Sequence, residues 1–154
     1  MNRASGILMP ITSLPSPYGI GTIGKAAYEF ADFLKKAGQS YWQILPVGPT
    51  SYGDSPYQSF STYAGNPYMI DLDMLQQDGL LKKKDYRNLN WGDDPEHVDY
   101  ARIYELRFRV LRIAFNNAQK GDLTDFNNFV RKNSAWLENY ALYMAVKKSF
   151  GMRA

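Results

Sequence analysis

The sequence predicts an α/β protein in which two parallel strands flank a helix and a mainly helical part follows. Apolar runs at 6–10 and 41–45 have the length and residue types of buried strands. Between them, the spacing of apolar residues changes to that of a helix over 25–37. After these elements, the remaining periodic segments are all helical. The predicted domains are an amino-terminal βαβ part with a long aromatic loop, 1–70, and the start of a helical subdomain, 71–154.

The first strand and the helix are bounded by proline and glycine. Pro10 ends the strand, because proline cannot donate a hydrogen bond to a sheet ladder. A loop dense in turn-forming residues follows up to Gly24. Gly38 stands where a glycine commonly ends a helix. The apolar face of the helix carries Ala27, Phe30, Ala31 and Leu34.

The second strand ends at Pro46 and completes a βαβ unit. Parallel strands joined by a helix place the loops that follow them at the same edge of the sheet. In α/β barrels, that carboxyl-terminal edge carries the active site. Both strands are apolar enough to be covered on two faces. No complete barrel is present, however, because no further strand follows in the sequence.

Four more helices are predicted after the second strand, with a polar irregular segment at 82–99. Their bounds are 71–78, 103–118, 124–132 and 135–150. Asp71 and Asp73 open the first of them, where carboxylates cap free N–H groups and favour the positive end of the helix dipole. Gly79 ends it. The second has an apolar stripe formed by Tyr104, Phe108, Leu111, Phe115 and Ala118.

Composition excludes several kinds of site and partner. The absence of cysteine excludes disulfides and thiolate metal sites. The single histidine, His97, cannot form a histidine-based metal cluster, and its polar segment predicts a solvated loop position. No signal peptide or membrane span is evident, so a cytoplasmic location without a membrane partner is expected. The net charge of +3 is scattered and is weak evidence for a polyanion partner.

The aromatic loop, residues 46–68, is the feature that points to a ligand. It has almost no aliphatic side chains, and small hydroxyl and amide residues and one acid, Asp54, surround its aromatic rings. The C–H face of a sugar stacks on such rings, while its hydroxyls need short hydrogen-bond partners. The alternative is a loop whose tyrosines fill its own interior. Asn66 is predicted to bond the backbone of the turn before Pro67. The aromatic residues are Tyr52, Tyr57, Phe60, Tyr63 and Tyr68.

Three motifs resemble the amino-terminal region of amylomaltases, the bacterial 4-α-glucanotransferases, whose relatives include the plant disproportionating enzymes. The motifs are GILMPITSLPSPYGIGTIG, WQILPVGPT and SYGDSPYQSFSTYAGNPYMIDLD. The resemblance is weaker at 98–100 and 137–144. It covers only roughly the first third of the longer family chain. It implies strands one and two of a (β/α)8 TIM barrel, with a mainly helical inserted subdomain, and thus an incomplete barrel.

The resemblance implies a parent enzyme that transfers α-1,4-glucan segments between maltooligosaccharides with retention and without a cofactor. Retention needs two carboxyl groups about 5 Å apart. In the family, the catalytic Asp and Glu and a further Asp lie on later strands, beyond Ala154, so no catalytic residue is expected in this segment. Capping is expected of Asp71 and Asp73, and turn formation of Asp54. The expected partners are α-1,4-glucans, maltooligosaccharides and the remainder of the parent polypeptide.

The resemblance also assigns five residues to sugar binding. Tyr57 matches the tyrosine that stacks on the transferred glucose, and Ser55 and Asp54 shape the loop beside it. Tyr52 and Tyr104 match a second glucan-binding position, around which a long chain curves. Packing is the alternative for Tyr104, because it belongs to the apolar stripe of its helix.

Two other functional classes are open from the sequence. One is a glucan-binding fragment without catalysis. The other is a nucleic-acid binder that uses tyrosine stacking. Against the second, Lys and Arg are absent from 47–69, whereas stacking platforms for nucleic acid lie in basic grooves. A nucleic-acid partner is therefore not expected.

Overall fold

A computed structural model describes residues 3–51 and 53–152. Its elements are β1 (Gly6–Leu8), α1 (Lys25–Lys36), β2 (Tyr41–Gln43), α2 (Leu72–Gln77), α3 (Tyr100–Ala118), α4 (Thr124–Lys132) and α5 (Ser134–Ser149). The two strands are parallel, with Ile7 paired to Trp42. The α/β fold class is therefore confirmed. The helix bounds differ from the predicted ones by at most three residues, at the start of α3.

The amphipathic helix α1 packs on the sheet through its apolar face. Phe30 lies edge-on against Trp42 of β2, with ring centroids 5.0 Å apart. Gly38 has a φ of +70°, the left-handed conformation that a helix-ending glycine adopts readily. The predicted end of the helix is thus confirmed, whereas Ala31 of the predicted apolar face is exposed. The fully buried residues of the helix are Ala27 and Leu34.

Both strands are shorter than predicted and remain largely uncovered. Each has three residues, and the indole N–H of Trp42 extends the pairing by donating to the carbonyl O of Met9 at 2.8 Å. Ile7 is 40% exposed, Leu8 55% and Ile44 41%. The described residues therefore do not supply the cover on two faces that such apolar strands predict.

The main hydrophobic core lies under α3 rather than on the sheet. Its buried residues are Tyr18, Ile20, Tyr68, Leu72, Leu81, Tyr86, Trp91, Ile103, Val110 and Ala114. The apolar stripe predicted for α3 is therefore not the buried face of this helix, because Tyr104, Phe108 and Phe115 are all more than 40% exposed. The true buried face contains Arg107, and this charged residue breaks the apolar pattern in the sequence.

Arg107 is the largest fully buried side chain in the described structure. Its Nη2–H group donates to the carbonyl O of Ile70, just before α2. Its Nε and Nη1 atoms have no hydrogen-bond partner among the described residues. Burial lowers the pKa of Arg107 to about 10, and the nearby charge of Asp71 opposes that shift. The guanidinium thus joins α3 to the segment that precedes α2.

The chain divides into two compact units. The first extends to Asn117 and contains the sheet and the main core, and the second begins at Ala118 and contains α4 and α5. In the second unit, Asn133 links the two helices, because its side-chain amide donates to the carbonyl O of Phe129 at 2.8 Å. The predicted division after residue 70 concerns a barrel and a subdomain of a longer protein, and it stays a prediction. None of the described helices is long and apolar enough to span a membrane.

Candidate functional site

The aromatic loop is closed at its base by hydrogen bonds. The backbone N–H of Asn66 donates to the carbonyl O of Val47 at 2.8 Å. The side-chain Oδ1 of Asn66 accepts from the N–H of Tyr68 at 2.9 Å. Nearer the tip, Thr50 and Ser59 form an antiparallel bridge. Asn66 therefore has a structural role, as predicted, but its side chain bonds the backbone after Pro67 and not the turn before it.

Serine side chains fold the upper part of the loop. Ser55 Oγ accepts from the N–H of Tyr57 at 3.4 Å. The hydroxyl of Ser59 donates to the carbonyl O of Ser61 at 2.8 Å. Ser61 Oγ accepts from the N–H of Ala64 at 3.0 Å. Because these short side chains satisfy the backbone locally, the loop does not depend on its tyrosines for an interior.

Two of the tyrosines extend into solvent. Tyr57 is 73% exposed and Tyr63 is 72% exposed, whereas Phe60 is half-buried and Tyr68 is buried. The alternative in which the tyrosines fill the interior of the loop is therefore wrong for Tyr57 and Tyr63. Tyr52, assigned to the second glucan position, lies outside the described residues.

Asp54 lies at the tip of the loop in a left-handed conformation. Its φ is +54°, and the preceding Gly53 has a φ of +91°. Aspartate tolerates this conformation because its short polar side chain bonds locally. The N–H of Asp54 donates to the carbonyl O of Ser51 at 3.1 Å, and its Oδ1 accepts from the hydroxyl of Thr50 at 3.4 Å. The predicted turn is present, but the side-chain bond goes to a hydroxyl rather than to the backbone.

Behind the tip, Asp54 lines a cavity of about 30 Å³, which has room for about one water molecule. Thr50, Tyr68 and Tyr100 of α3 line the same cavity. Burial raises the pKa of the Asp54 carboxyl group. Burial also raises the pKa of both tyrosine hydroxyls, and the charge of Asp54 adds to that effect. The cavity thus places the tip of the loop opposite the first turn of α3.

Tyr104 lies on the exposed side of α3, where it is 47% exposed. Its ring meets Phe108 edge-on at a centroid distance of 5.3 Å. The ring centroid of Phe108 lies 6.0 Å from that of Tyr68, and the ring centroids of Tyr68 and Tyr100 are 6.4 Å apart. The alternative that Tyr104 packs in the core of this chain is therefore wrong. A chain of aromatic rings instead runs from the cavity to Tyr104.

Asp71 is the N-cap of α2, as predicted. Its Oδ1 accepts from the N–H of Met74 at 2.9 Å, and its Oδ2 accepts from the hydroxyl of Thr22 at 2.6 Å. The same carboxylate lies against Gly24 at the start of α1, where a Cβ atom would be 2.0 Å from Oδ2. Asp71 therefore holds the loop after β1 and the beginnings of two helices together.

Asp73 has a structural role that the sequence did not predict. It lies in the first turn of α2, but it does not cap the helix: its Oδ1 accepts from the hydroxyls of Tyr18 at 2.8 Å and of Tyr86 at 2.6 Å. Burial and this bond raise the pKa of both tyrosines. The rings of Tyr18 and Tyr86 meet edge-on at 5.1 Å, and the indole N–H of Trp91 donates to the carbonyl O of Tyr86. We call this group the Asp73 cluster.

An open groove of about 490 Å³ lies beside the base of the aromatic loop. Its walls are mainly apolar and come from three separate parts of the chain, so no local sequence pattern indicates it. The lining includes Ile23, Val47, Met69, Ile70, Met74 and Leu75.

The part of the chain that the structure describes contains no group of three or more His, Cys, Asp or Glu placed to hold a metal ion. His97 is exposed, and its Nδ1 lies 2.8 Å from Oδ2 of Asp94. The predicted position of His97 in a solvated loop is confirmed.

Comparison with known proteins identifies the family. The family profile described as 4-alpha-glucanotransferase matches residues 9–154. The chain belongs to the 4-alpha-glucanotransferase family. The 4-alpha-glucanotransferases of Clostridium butyricum and Streptococcus pneumoniae are 55% and 52% identical to it over 92% and 96% of its length. The family resemblance of the motifs is therefore confirmed.

A solved structure of a 4-alpha-glucanotransferase relative has the same fold over nearly all of this chain. The amylomaltase from Streptococcus agalactiae in complex with acarbose superimposes with a TM-score of 0.94 at 48% identity and covers 99% of this chain. The match spans only 31% of that amylomaltase. The sequence matches to the C. butyricum and S. pneumoniae proteins likewise span only 29% and 30% of those proteins.

Proposed function

We propose that this chain is the amino-terminal part of a 4-alpha-glucanotransferase that moves α-1,4-glucan segments between maltooligosaccharides. The observation that carries the proposal is the match of nearly the whole chain to this family at about half identity. The related amylomaltase was solved with acarbose, which supports a glucan ligand here.

Tyr57 is the proposed stacking residue for the transferred glucose. Its exposed ring stands on a loop whose backbone is held by serines, so the ring is available to the C–H face of a sugar. An electron-rich ring at this position favours the flattened, positively charged sugar of the transition state. Ser55 supports the backbone N–H of Tyr57, and Asp54 forms the turn before it.

Tyr52 and Tyr104 are the proposed second glucan position. The exposure of Tyr104 and its edge-on contact with Phe108 support this role, because a ring held from one side offers the other side to a sugar. A long glucan that contacts both Tyr57 and Tyr104 would curve between the aromatic loop and α3.

The catalytic carboxylates are proposed to come from the rest of the parent enzyme. The nearby acids are engaged elsewhere: Asp71 caps α2, and Asp73 accepts from two tyrosine hydroxyls. A retaining transfer needs one carboxylate as nucleophile and a second carboxyl group about 5 Å away as acid and base. This chain contributes sugar stacking, which orients the substrate for that chemistry.

The remainder of the parent polypeptide is the proposed cover for the sheet. β1 and β2 would be the first two strands of a (β/α)8 barrel, and the later helices would begin an inserted subdomain. The exposure of Ile7, Leu8 and Ile44 supports this arrangement, because a closed barrel leaves no strand edge free.

The experiment compares the full-length parent enzyme with residues 1–154 alone, using glucose release from maltotriose. The full-length enzyme is expected to release glucose and form longer oligosaccharides, and 1–154 alone is expected to match the blank. Residues 1–154 alone are also expected to bind ANS and to show no sharp thermal transition, because their strands are uncovered.

Three results would contradict parts of this proposal. Glucose release by 1–154 that Asp54→Asn abolishes would place a catalytic carboxylate in this segment. One cooperative calorimetric transition for monomeric 1–154 would make it a self-sufficient domain. A full-length parent whose migration is slowed in amylose-containing gels but that transfers no glucan would be a glucan-binding protein without catalysis.

Binding of a neutral glucan should not depend on salt, unlike binding of nucleic acid.

A further inference from the structure

The position of Asp54 differs from that of the tyrosine three residues later. Tyr57 extends into solvent, whereas the Asp54 side chain lines the small cavity behind the loop. Its hydrogen bond from the Thr50 hydroxyl lies within the loop itself. The carboxyl group thus lies on the side of the loop that faces the cavity, and not on the exposed side that carries Tyr57.

The backbone at Asp54 is in a conformation that few residues adopt. Two consecutive residues, Gly53 and Asp54, have positive φ values. Such conformations persist at functional sites when the surrounding structure determines them. Here the turn directs the Asp54 side chain into the cavity.

The opposite side of the cavity belongs to the aromatic chain that leads to Tyr104. Tyr100 starts α3, and Tyr68 links it to Phe108, which contacts Tyr104. Burial raises the pKa of the Tyr68 and Tyr100 hydroxyls and the charge of Asp54 adds to that effect, so both keep their protons and remain hydrogen-bond donors. An acceptor on the loop and two donors, Tyr68 and Tyr100, therefore line the same cavity of about 30 Å³.

We propose that Asp54 is a positioning residue rather than a sugar ligand: across this cavity, its carboxyl group fastens the loop that carries Ser55 and Tyr57 to Tyr100 of α3. The inference rests on the proposed function and deepens it, because one polar contact then sets the relation between the two glucan positions. A loop released from Tyr100 would still present Tyr57, but in a less defined orientation.

The test uses the full-length parent enzyme and two measurements. Hydrogen exchange of peptides from 50–63 reports how firmly the loop is attached. The kcat/KM for maltotriose reports how well Tyr57 is oriented. Asp54→Gly keeps the positive φ and removes the carboxyl group, whereas Asp54→Asn keeps both the turn and an acceptor. Tyr100→Phe removes only the facing hydroxyl.

Asp54→Gly is expected to speed loop exchange at least about tenfold and to lower kcat/KM about 10- to 100-fold, as expected when a reacting group is misplaced. Asp54→Asn should stay within about threefold of the unmodified enzyme in both measurements. Tyr100→Phe should reproduce part of both losses. The double variant should be no worse than Asp54→Gly, because residues that act through one contact are not additive.

Tyr28→Phe is the matched control, because it removes a hydroxyl from an exposed tyrosine on α1. Combined with Asp54→Gly, it should leave the loss unchanged, as expected for a residue with no part in the site. Tyr100→Phe changes a single oxygen atom and keeps the test available if Asp54→Gly fails to fold.

Two results would overturn the inference. If Asp54→Asn lowers kcat/KM as much as Asp54→Gly while loop exchange stays unchanged, Asp54 is a sugar ligand. If the effects of Asp54→Gly and Tyr100→Phe on loop exchange are additive, the two residues do not act across the cavity. An unmodified parent without transferase activity would refute the proposed function, but the exchange measurement would still decide the role of Asp54.

Discussion

The Asp73 cluster and the tip of the aromatic loop both combine aspartate with tyrosine, but in different environments. In the cluster, Tyr18 and Tyr86 are buried and both donate to one carboxylate oxygen. At the loop tip, the Asp54 side chain accepts a long hydrogen bond from Thr50, and Tyr57 is largely exposed. Tyrosine content alone therefore does not separate a core from the proposed sugar site. The distinction lies in whether a carboxylate and apolar neighbours enclose the ring.

The largest effect is expected from Asp73→Ala. The change leaves two buried hydroxyls without an acceptor, and the free energy of unfolding should fall by about 2–5 kcal/mol. Calorimetry of the full-length parent measures this as a lower Tm. Asp78→Ala, at the exposed end of the same helix, is the control and should change the Tm little. An equal, small change for both variants would mean that the cluster does not stabilise the fold.

Tyr57→Ala should have the opposite profile, with a large effect on activity and little on stability. Losing one stacking contact of about 1.5–4 kcal/mol should lower kcat/KM roughly 10- to 1000-fold. Tyr57→Phe should cost less, because the ring remains. The assay is disproportionation of maltotriose by the full-length parent at several substrate concentrations. If Tyr57→Ala left kcat/KM unchanged and lowered the Tm, Tyr57 would be a packing residue, like the tyrosines of the Asp73 cluster.

The smallest expected effect is a pH dependence of loop attachment. Burial raises the pKa of Asp54 above its ordinary value of 3.8, so the attached loop holds that proton more tightly than the released loop. Attachment should therefore be strongest below pH 3.8 and weaken as the pH rises through the raised pKa. Exchange protection of 50–63, corrected for intrinsic rates, measures this. Asp54→Asn should remove this pH dependence. If Asp54→Asn instead keeps the pH profile of the unmodified enzyme, another titrating group causes it.

The sequence predicted those parts of the fold that depend on local chemistry. Helix spacing and the glycines at 38 and 79 located α1 and α2, because a helix and its end are specified within a few residues. The capping role of Asp71 followed from its position for the same reason. The proposed role of Tyr57 came from the resemblance of the motifs to the family, since exposure on a loop leaves no periodic signal.

The sequence failed where contacts join distant residues. Asp73 meets Tyr18 across 55 positions, and no pattern in either segment indicates the other. The buried face of α3 was misassigned because Arg107 occupies it, and a charge is not expected in a core unless its partner is known. That Tyr100 and Asp54 line one cavity was likewise not predicted, because the cavity exists only after the loop has folded against α3.

The close approach of Asp71 to Gly24 makes these two positions a single unit in any mutant library. The φ of Gly24 is −132°, which suits any residue, so the carboxylate and not the backbone enforces glycine there. Serine is by itself a favourable N-cap residue, the position that Gly24 has in α1. A Cβ atom at 24 would lie 2.0 Å from Oδ2 and 2.8 Å from Cβ of Asp71, so the segment at 71 would have to shift, and Asp71 is the cap of α2. A substitution at 24 therefore acts on the cap of α2 as well as on α1, and its effect has to be measured together with changes at 71.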